Sequence, residues 1–124
     1  MRVVGISQAH IGEGPNEDAI GWNELKTLAF VADGVGGSAK GEVASGLVKQ
    51  VFEAAAARTD LKQLALTAHA KIREAAADKP ESTGMASTLV AAGPDDRSSG
   101  RLPRSWWASA PVSGCGCCST APTR

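Results

Sequence analysis

The stretch FVADGVGGSAKGE, residues 30–42, runs from an apolar segment through one acid and a group of glycines into helix-like sequence. Its first residues close a continuous apolar run, TLAFVAD at 27–33, which suits a buried strand. The glycines allow three uses: a nucleotide loop, a metal loop, or a plain turn. Gly34, Gly36 and Ala39 satisfy G-x-G-x-x-G/A between a predicted strand and a predicted helix, the setting of a dinucleotide loop. Against that use, Asp33 places a carboxylate where a pyrophosphate would lie, and the following helix runs into a second helix instead of a parallel strand. A P-loop fails as well, because Lys40 precedes Gly41 and does not follow a glycine. An acid ending a buried strand, with glycines exposing backbone carbonyls after it, suits a hard cation such as Mg²⁺ or Mn²⁺. Asp33 and the carbonyl of Gly34 are then neighbouring candidate ligands.

A second acidic element points the same way. Glu17 and Asp18, in GPNEDAIGW, precede a short predicted strand from about Ala19 to Trp22 and a turn at Asn23 and Glu24. Pairing this strand with Leu28 to Asp33 in an antiparallel hairpin brings Glu17 and Asp18 level with Asp33. Taken singly, each acid is better explained as an ordinary solvated turn residue or loop cap. Their convergence on one end of a sheet favours the metal site.

Around this centre the periodicity changes along the chain. RVVGISQ at 2–8 suits another buried strand. Val43, Leu47, Val48, Val51, Phe52 and Ala55 line one face of a helix predicted over 42–57. Asp60 as N-cap with Gln63 three residues later marks a second helix, whose stripe is Leu61, Leu64, Ala65, Ala68 and Ile72 and which ends before Pro80. ASTLVAA at 86–92 reads as a further strand. Strands, two consecutive helices and a strand predict an α+β fold.

The chain of 124 residues has 13 basic and 13 acidic side chains, so its balance recommends no nucleic-acid or membrane-surface partner. Its apolar runs fall short of a membrane span and its start lacks a secretion-signal pattern, so a cytoplasmic protein is expected. Beyond Gly93 the composition shifts to Pro, Ser, Gly and Arg, and Cys115, Cys117 and Cys118 cluster without a second ligand group to make a zinc site. Residues 1–92 are therefore expected to form the folded part, and 93–124 an aberrant or disordered tail.

NEDAIGW, followed by LAFVADGVGGSAKGEVAS and then GMASTLVAA, closely resembles the N-terminal portion of the metal-dependent type 2C serine/threonine protein phosphatases over residues 1 to about 92. The resemblance implies a β-sandwich, incomplete here, with a flanking antiparallel helix pair and a binuclear Mn²⁺ or Mg²⁺ centre at its edge. By family position Asp33 would bridge the metals, Glu17 and the Gly34 carbonyl would ligate one of them, and Asp18 would orient metal-bound water. The implied activity is hydrolysis of phosphoserine and phosphothreonine in phosphoprotein substrates.

Two departures limit that expectation. Many relatives carry a phosphate-gripping Arg four positions before the motif Glu, where this chain has Glu13, so Lys40 or Arg2 would have to substitute. The family's later Gly-Asp-Ser-Arg strand pair and further metal-binding aspartates are absent from these 124 residues, so the chain as given is expected to be inactive. The family-like WWASA at 106–110 breaks into PVSGCGCCSTAPTR, and one codon choice for Ser113 to Cys118 reads Arg-Leu-Trp-Leu-Leu in a shifted frame, which predicts a frameshift after Ala110. A non-catalytic, pseudophosphatase-like binding module and a dinucleotide-binding domain stand as alternatives.

Overall fold

The computed structural model describes residues 3–9, 11–12, 14–23, 25, 27–35, 40–56 and 59–93, together with the backbone of 108–109 and 112–113. Strands β1 (Asp18–Trp22) and β2 (Ala29–Val35) form the predicted antiparallel hairpin, with Asp18 opposite Asp33 and Trp22 opposite Ala29. Asn23 closes it. Its side-chain oxygen accepts the N–H groups of Thr27 at 2.8 Å and Leu28 at 3.0 Å, while its amide donates to Thr27 Oγ1 at 2.7 Å and to the Ala55 carbonyl at 3.3 Å. Asn23 is fully buried, and a buried amide requires such partners.

Along β2 the side chains alternate between the two faces of the sheet. Phe30, Ala32 and Gly34 are buried, whereas Val31, Asp33 and Val35 are exposed. Helix α1 (Gly41–Glu53) covers the buried face with Ala44, Val48, Val51 and Phe52, and the Phe30 and Phe52 rings lie 5.3 Å apart. Helix α2 (Leu61–Asp78) packs against α1 and adds Leu64, Ala68 and Ile72 to the same core. Burying each such large apolar side chain contributes about 1.5–3 kcal/mol, so this layer holds the hairpin in place.

The helices start for identifiable reasons. Asp60 Oδ1 accepts the Lys62 N–H at 2.8 Å, so the predicted cap of α2 forms, one residue earlier than the capping box with Gln63 requires. At α1 no side chain caps the first turn, and Lys40 at the N-cap is left-handed with φ 68°. Gly34 and Gly41 meet backbone to backbone at this point. A Cβ on Gly41 would lie 2.8 Å from the Gly34 carbonyl carbon.

That contact corrects one part of the predicted α1 stripe. With Gly41 seated on β2, the face turned inward holds Gly41, Ala44, Ser45, Val48, Val51 and Phe52, and Val43 is rolled out to 36% exposure. The helix also ends earlier than expected, at Glu53.

After α2 and a 3-10 turn at Pro80–Ser82 the chain returns to the sheet as β3 (Ala86–Ser87) and β4 (Val90–Ala92), both antiparallel to β2. The expected strand over 86–92 is thus interrupted at Thr88 and Leu89. The backbones of β5 (Ala108–Ser109) and β6 (Val112–Ser113) pair with β4 and β3 respectively. The sheet has six strands in the order β5-β4-β2-β3-β6, with β1 on the other edge of β2.

The strand expected over 2–8 does not form in the described residues 3–9, where Val4 and Ile6 are more than 80% exposed. The segment lies over Ile20 and Trp22, beside an apolar groove of about 310 Å³ that Val31 and Val90 also line. It has no ladder partner there to satisfy its backbone. Among the described residues, helices cover one face of a single sheet, and no helix is long and apolar enough to cross a membrane. The cysteines, Glu13, Arg2 and nearly all of the predicted tail lie outside the described residues.

Candidate metal centre

The hairpin register decides which acids meet. Gly34 N–H donates to the Glu17 carbonyl at 3.0 Å and Asn23 N–H to the Leu28 carbonyl at 3.2 Å, so the hydrogen-bonded positions of the ladder fall at 17/34 and 23/28. Counting in steps of two from either, Asp18 and Asp33 form a non-hydrogen-bonded pair, the kind that brings Cα atoms to about 4.5 Å and side chains closest. Both carboxylates stand on the sheet face away from the helices and are exposed.

Asp18 is held from its own side by Asn16. The Asn16 side-chain oxygen accepts the Asp18 N–H at 3.0 Å, and the Asn16 amide donates to Ser7 Oγ at 2.8 Å. The Asp18 pKa is raised above the ordinary carboxylate value by partial desolvation, then by the charge of Asp33 and by a hydrogen bond shared with its carboxyl. Two anions pressed together in this way form a site that favours a proton or a cation.

Glu17 and Gly34 are placed by the glycine contact. A Cβ on Gly34 would collide with the Gly41 carbonyl oxygen and come within 2.6 Å of the Glu17 carbonyl, so only glycine fits. The Glu17 carboxyl carbon lies 3.0 Å from where a Gly41 Cβ would stand, at the start of α1, whose dipole favours an anion. Glu17, Asp18 and Asp33 line one polar cleft of about 290 Å³, with Gln8, Pro15 and Asn16 also in its walls.

The donor set is all oxygen, which suits Mg²⁺ or Mn²⁺, and Mg²⁺ is commonly held by one or two carboxylates while keeping several waters. The Asp18–Asp33 pair fits a hydrated hard cation on that basis. It falls short of a binuclear centre, because among the described residues no group of three His, Cys, Asp or Glu side chains is close enough to hold a metal. Nor does Lys40 replace a phosphate-gripping Arg in this arrangement, since its Nζ pairs with Glu81 Oε1 at 3.0 Å.

No protein-family model and no curated protein sequence matches the chain. Solved structures do. The serine/threonine phosphatase Stp1 from Staphylococcus aureus superposes with a TM-score of 0.57 and 28% identity over 73% of this chain and 41% of its own. A bacterial serine phosphatase superposes with a TM-score of 0.53 and 29% identity, over 67% of this chain and 39% of its own. Over about two thirds of its length or more the chain is therefore similar in fold and sequence to bacterial serine/threonine phosphatases, as a partial chain of that kind would be. It spans about two fifths of the length of the solved phosphatases it matches.

The motifs that announced the phosphatase-like hairpin left other residues of the site unmarked. Asn16, Ser87 and Thr88 all hydrogen-bond to the backbone of the acidic pair. Asn16 had a legible signal, since an Asn two residues before the acid is the pattern of an Asx-turn. Ser87 and Thr88 had none, because their role depends on the pairing of distant strands.

Proposed function

We propose that this chain carries the acidic part of a divalent-metal phosphatase site and that the complete protein hydrolyses phosphoserine and phosphothreonine in phosphoprotein substrates. Asp33, Glu17 and the Gly34 carbonyl would hold Mn²⁺ or Mg²⁺, with Asp18, paired with Asp33 across the ladder, placed to orient bound water. When bound, such cations supply positive charge against the phosphoryl oxygens and make water a better nucleophile. The part left to the chain is to hold the carboxylates at the rim of an open cleft, where Asn16 and the β1–β2 ladder fix their spacing. The observation that carries this reading is the Asp18–Asp33 pair in a polar cleft that Glu17 also lines.

Further ligands are needed to hold two metals, and we place them, with the second sheet of a sandwich, in sequence beyond the described residues. The open apolar face of Val31, Val35 and Val90 is where that sheet would pack. On this view the 124 residues alone are inactive, residues 1–92 are the phosphatase-like part, 93–124 is an aberrant tail whose reading frame shifts after Ala110, and the setting is cytoplasmic, with no nucleic-acid or membrane partner. The dinucleotide alternative has less support, because β2 pairs antiparallel with all its neighbours, whereas a dinucleotide unit needs parallel strands.

Mn²⁺-dependent hydrolysis of p-nitrophenyl phosphate tests this. The purified chain is expected to match Asp33→Asn at background. Turnover by the chain that Asp33→Asn abolishes would overturn the inactive reading, and turnover indifferent to Asp33 would overturn the site.

A further inference from the structure

The break in the strand over 86–92 lies directly opposite Asp33. On both sides of it one register holds, Val31 with Val90 and Gly34 with Ser87, so no residue is inserted and the break is not a β-bulge. In that register Asp33 faces Thr88, and a regular pair there would exchange two backbone hydrogen bonds. Thr88 N–H does donate to the Asp33 carbonyl, at 2.8 Å. The reciprocal bond is replaced: Asp33 N–H donates to Thr88 Oγ1, at 3.3 Å. The Thr88 carbonyl instead lies 2.8 Å from the Ser87 hydroxyl, which is also 3.2 Å from the Asp33 carbonyl.

We propose that Thr88 is a positioning residue for Asp33: its hydroxyl, by taking the Asp33 N–H in place of its own carbonyl, sets the backbone of β2 where the Asp33 carboxylate meets Asp18. Ser87 supports the exchange by occupying the Thr88 carbonyl, which would otherwise compete for the Asp33 N–H. Thr88 suits the task because its β-branched side chain is stiff about χ1, so its oxygen stays on the ladder. The catalytic weight of this inference rests on the metal-site reading above, but the hydrogen-bond exchange is testable without it.

The test uses amide hydrogen exchange and Mn²⁺ line broadening, both by NMR, on the 124-residue chain. Thr88→Val keeps the shape and removes the acceptor, whereas Thr88→Ser keeps the acceptor. Asp33 amide exchange should accelerate about tenfold in Thr88→Val, the loss of one hydrogen bond, and return towards wild type in Thr88→Ser. Mn²⁺ should broaden the Asp18 and Gly34 amides less in Thr88→Val than in Thr88→Ser. Unchanged Asp33 exchange in Thr88→Val, or equal acceleration in both variants, overturns the proposal. Should Thr88→Val not fold, Ser87→Ala decides: it frees the Thr88 carbonyl, so the Asp33 amide resonance must shift, and an unmoved resonance overturns the exchange. Failure of the metal reading looks different, since Mn²⁺ would then broaden no variant while Asp33 exchange still separated Val from Ser.

Discussion

Asp18 and Asp33 stand opposite one another in a non-hydrogen-bonded pair of the β1–β2 ladder, so two like charges share the closest spacing that an antiparallel sheet provides. Like charges directly opposite destabilise a sheet, and nothing in the core requires them, because both face away from the helices. An arrangement that costs stability at the mouth of a polar cleft is what a cation-binding role would require.

Asp33→Asn removes that repulsion. The variant should be more stable than the parent at neutral pH without metal, by up to about 1 kcal/mol, as read from urea midpoints. The pH dependence follows from the raised Asp18 pKa, which means that the folded state binds the proton more tightly than the unfolded state. Stability should therefore increase as pH falls from neutral through the raised Asp18 pKa, and level off below the unfolded value. Glu81, lowered by its hydrogen bond to Lys40 and then by that charge, works in the opposite direction in both proteins. The difference between parent and Asp33→Asn isolates the carboxylate pair and should shrink on acidification.

Two glycine substitutions should separate in sign. Gly34→Ala drives a methyl into the backbone of Gly41 and Glu17, which cannot yield as a side chain tip would, and should cost more than about 3 kcal/mol or prevent folding. Gly46→Ala meets no atom within 4 Å inside α1 and should stabilise by about 0.5–1 kcal/mol. Thermal unfolding of the two variants checks both.

Asn23→Leu keeps the branching at Cγ of a fully buried residue, in a bulkier side chain, and removes the acceptor for Thr27 and Leu28 N–H. Leaving buried donors unpaired should lower stability by about 2–3 kcal/mol, measured as a fall in urea midpoint with unchanged m.

Lys40→Gly relieves a left-handed residue at the start of α1 and should raise stability by about 1 kcal/mol. Glu81→Gln breaks the exposed ion pair with Lys40 and should lower the thermal midpoint only slightly, because solvent screens both partners.

The hairpin and the Asp18–Asp33 encounter were legible because both follow from local counting about one turn, and the α2 start was legible because Asp60 caps it. What the sequence hid depends on partners far along the chain. RVVGISQ has strand composition, but a strand exists only where a ladder receives it, and the described residues 3–9 have none. The periodicity of α1 identified a helix and misjudged its roll, because the Gly34–Gly41 contact, invisible to a hydrophobic pattern, turns Val43 outward. ASTLVAA has the composition of one strand, and the side-chain exchange at Thr88 divides it in two.

The most direct test of the central claim is Mn²⁺ titration of the amide resonances of the 124-residue chain, compared with Asp33→Asn. Selective broadening at Asp18, Asp33 and Gly34 that is lost in Asp33→Asn is the predicted result. No selective broadening, or broadening at these residues that survives the substitution, would contradict a metal site built on the Asp18–Asp33 pair.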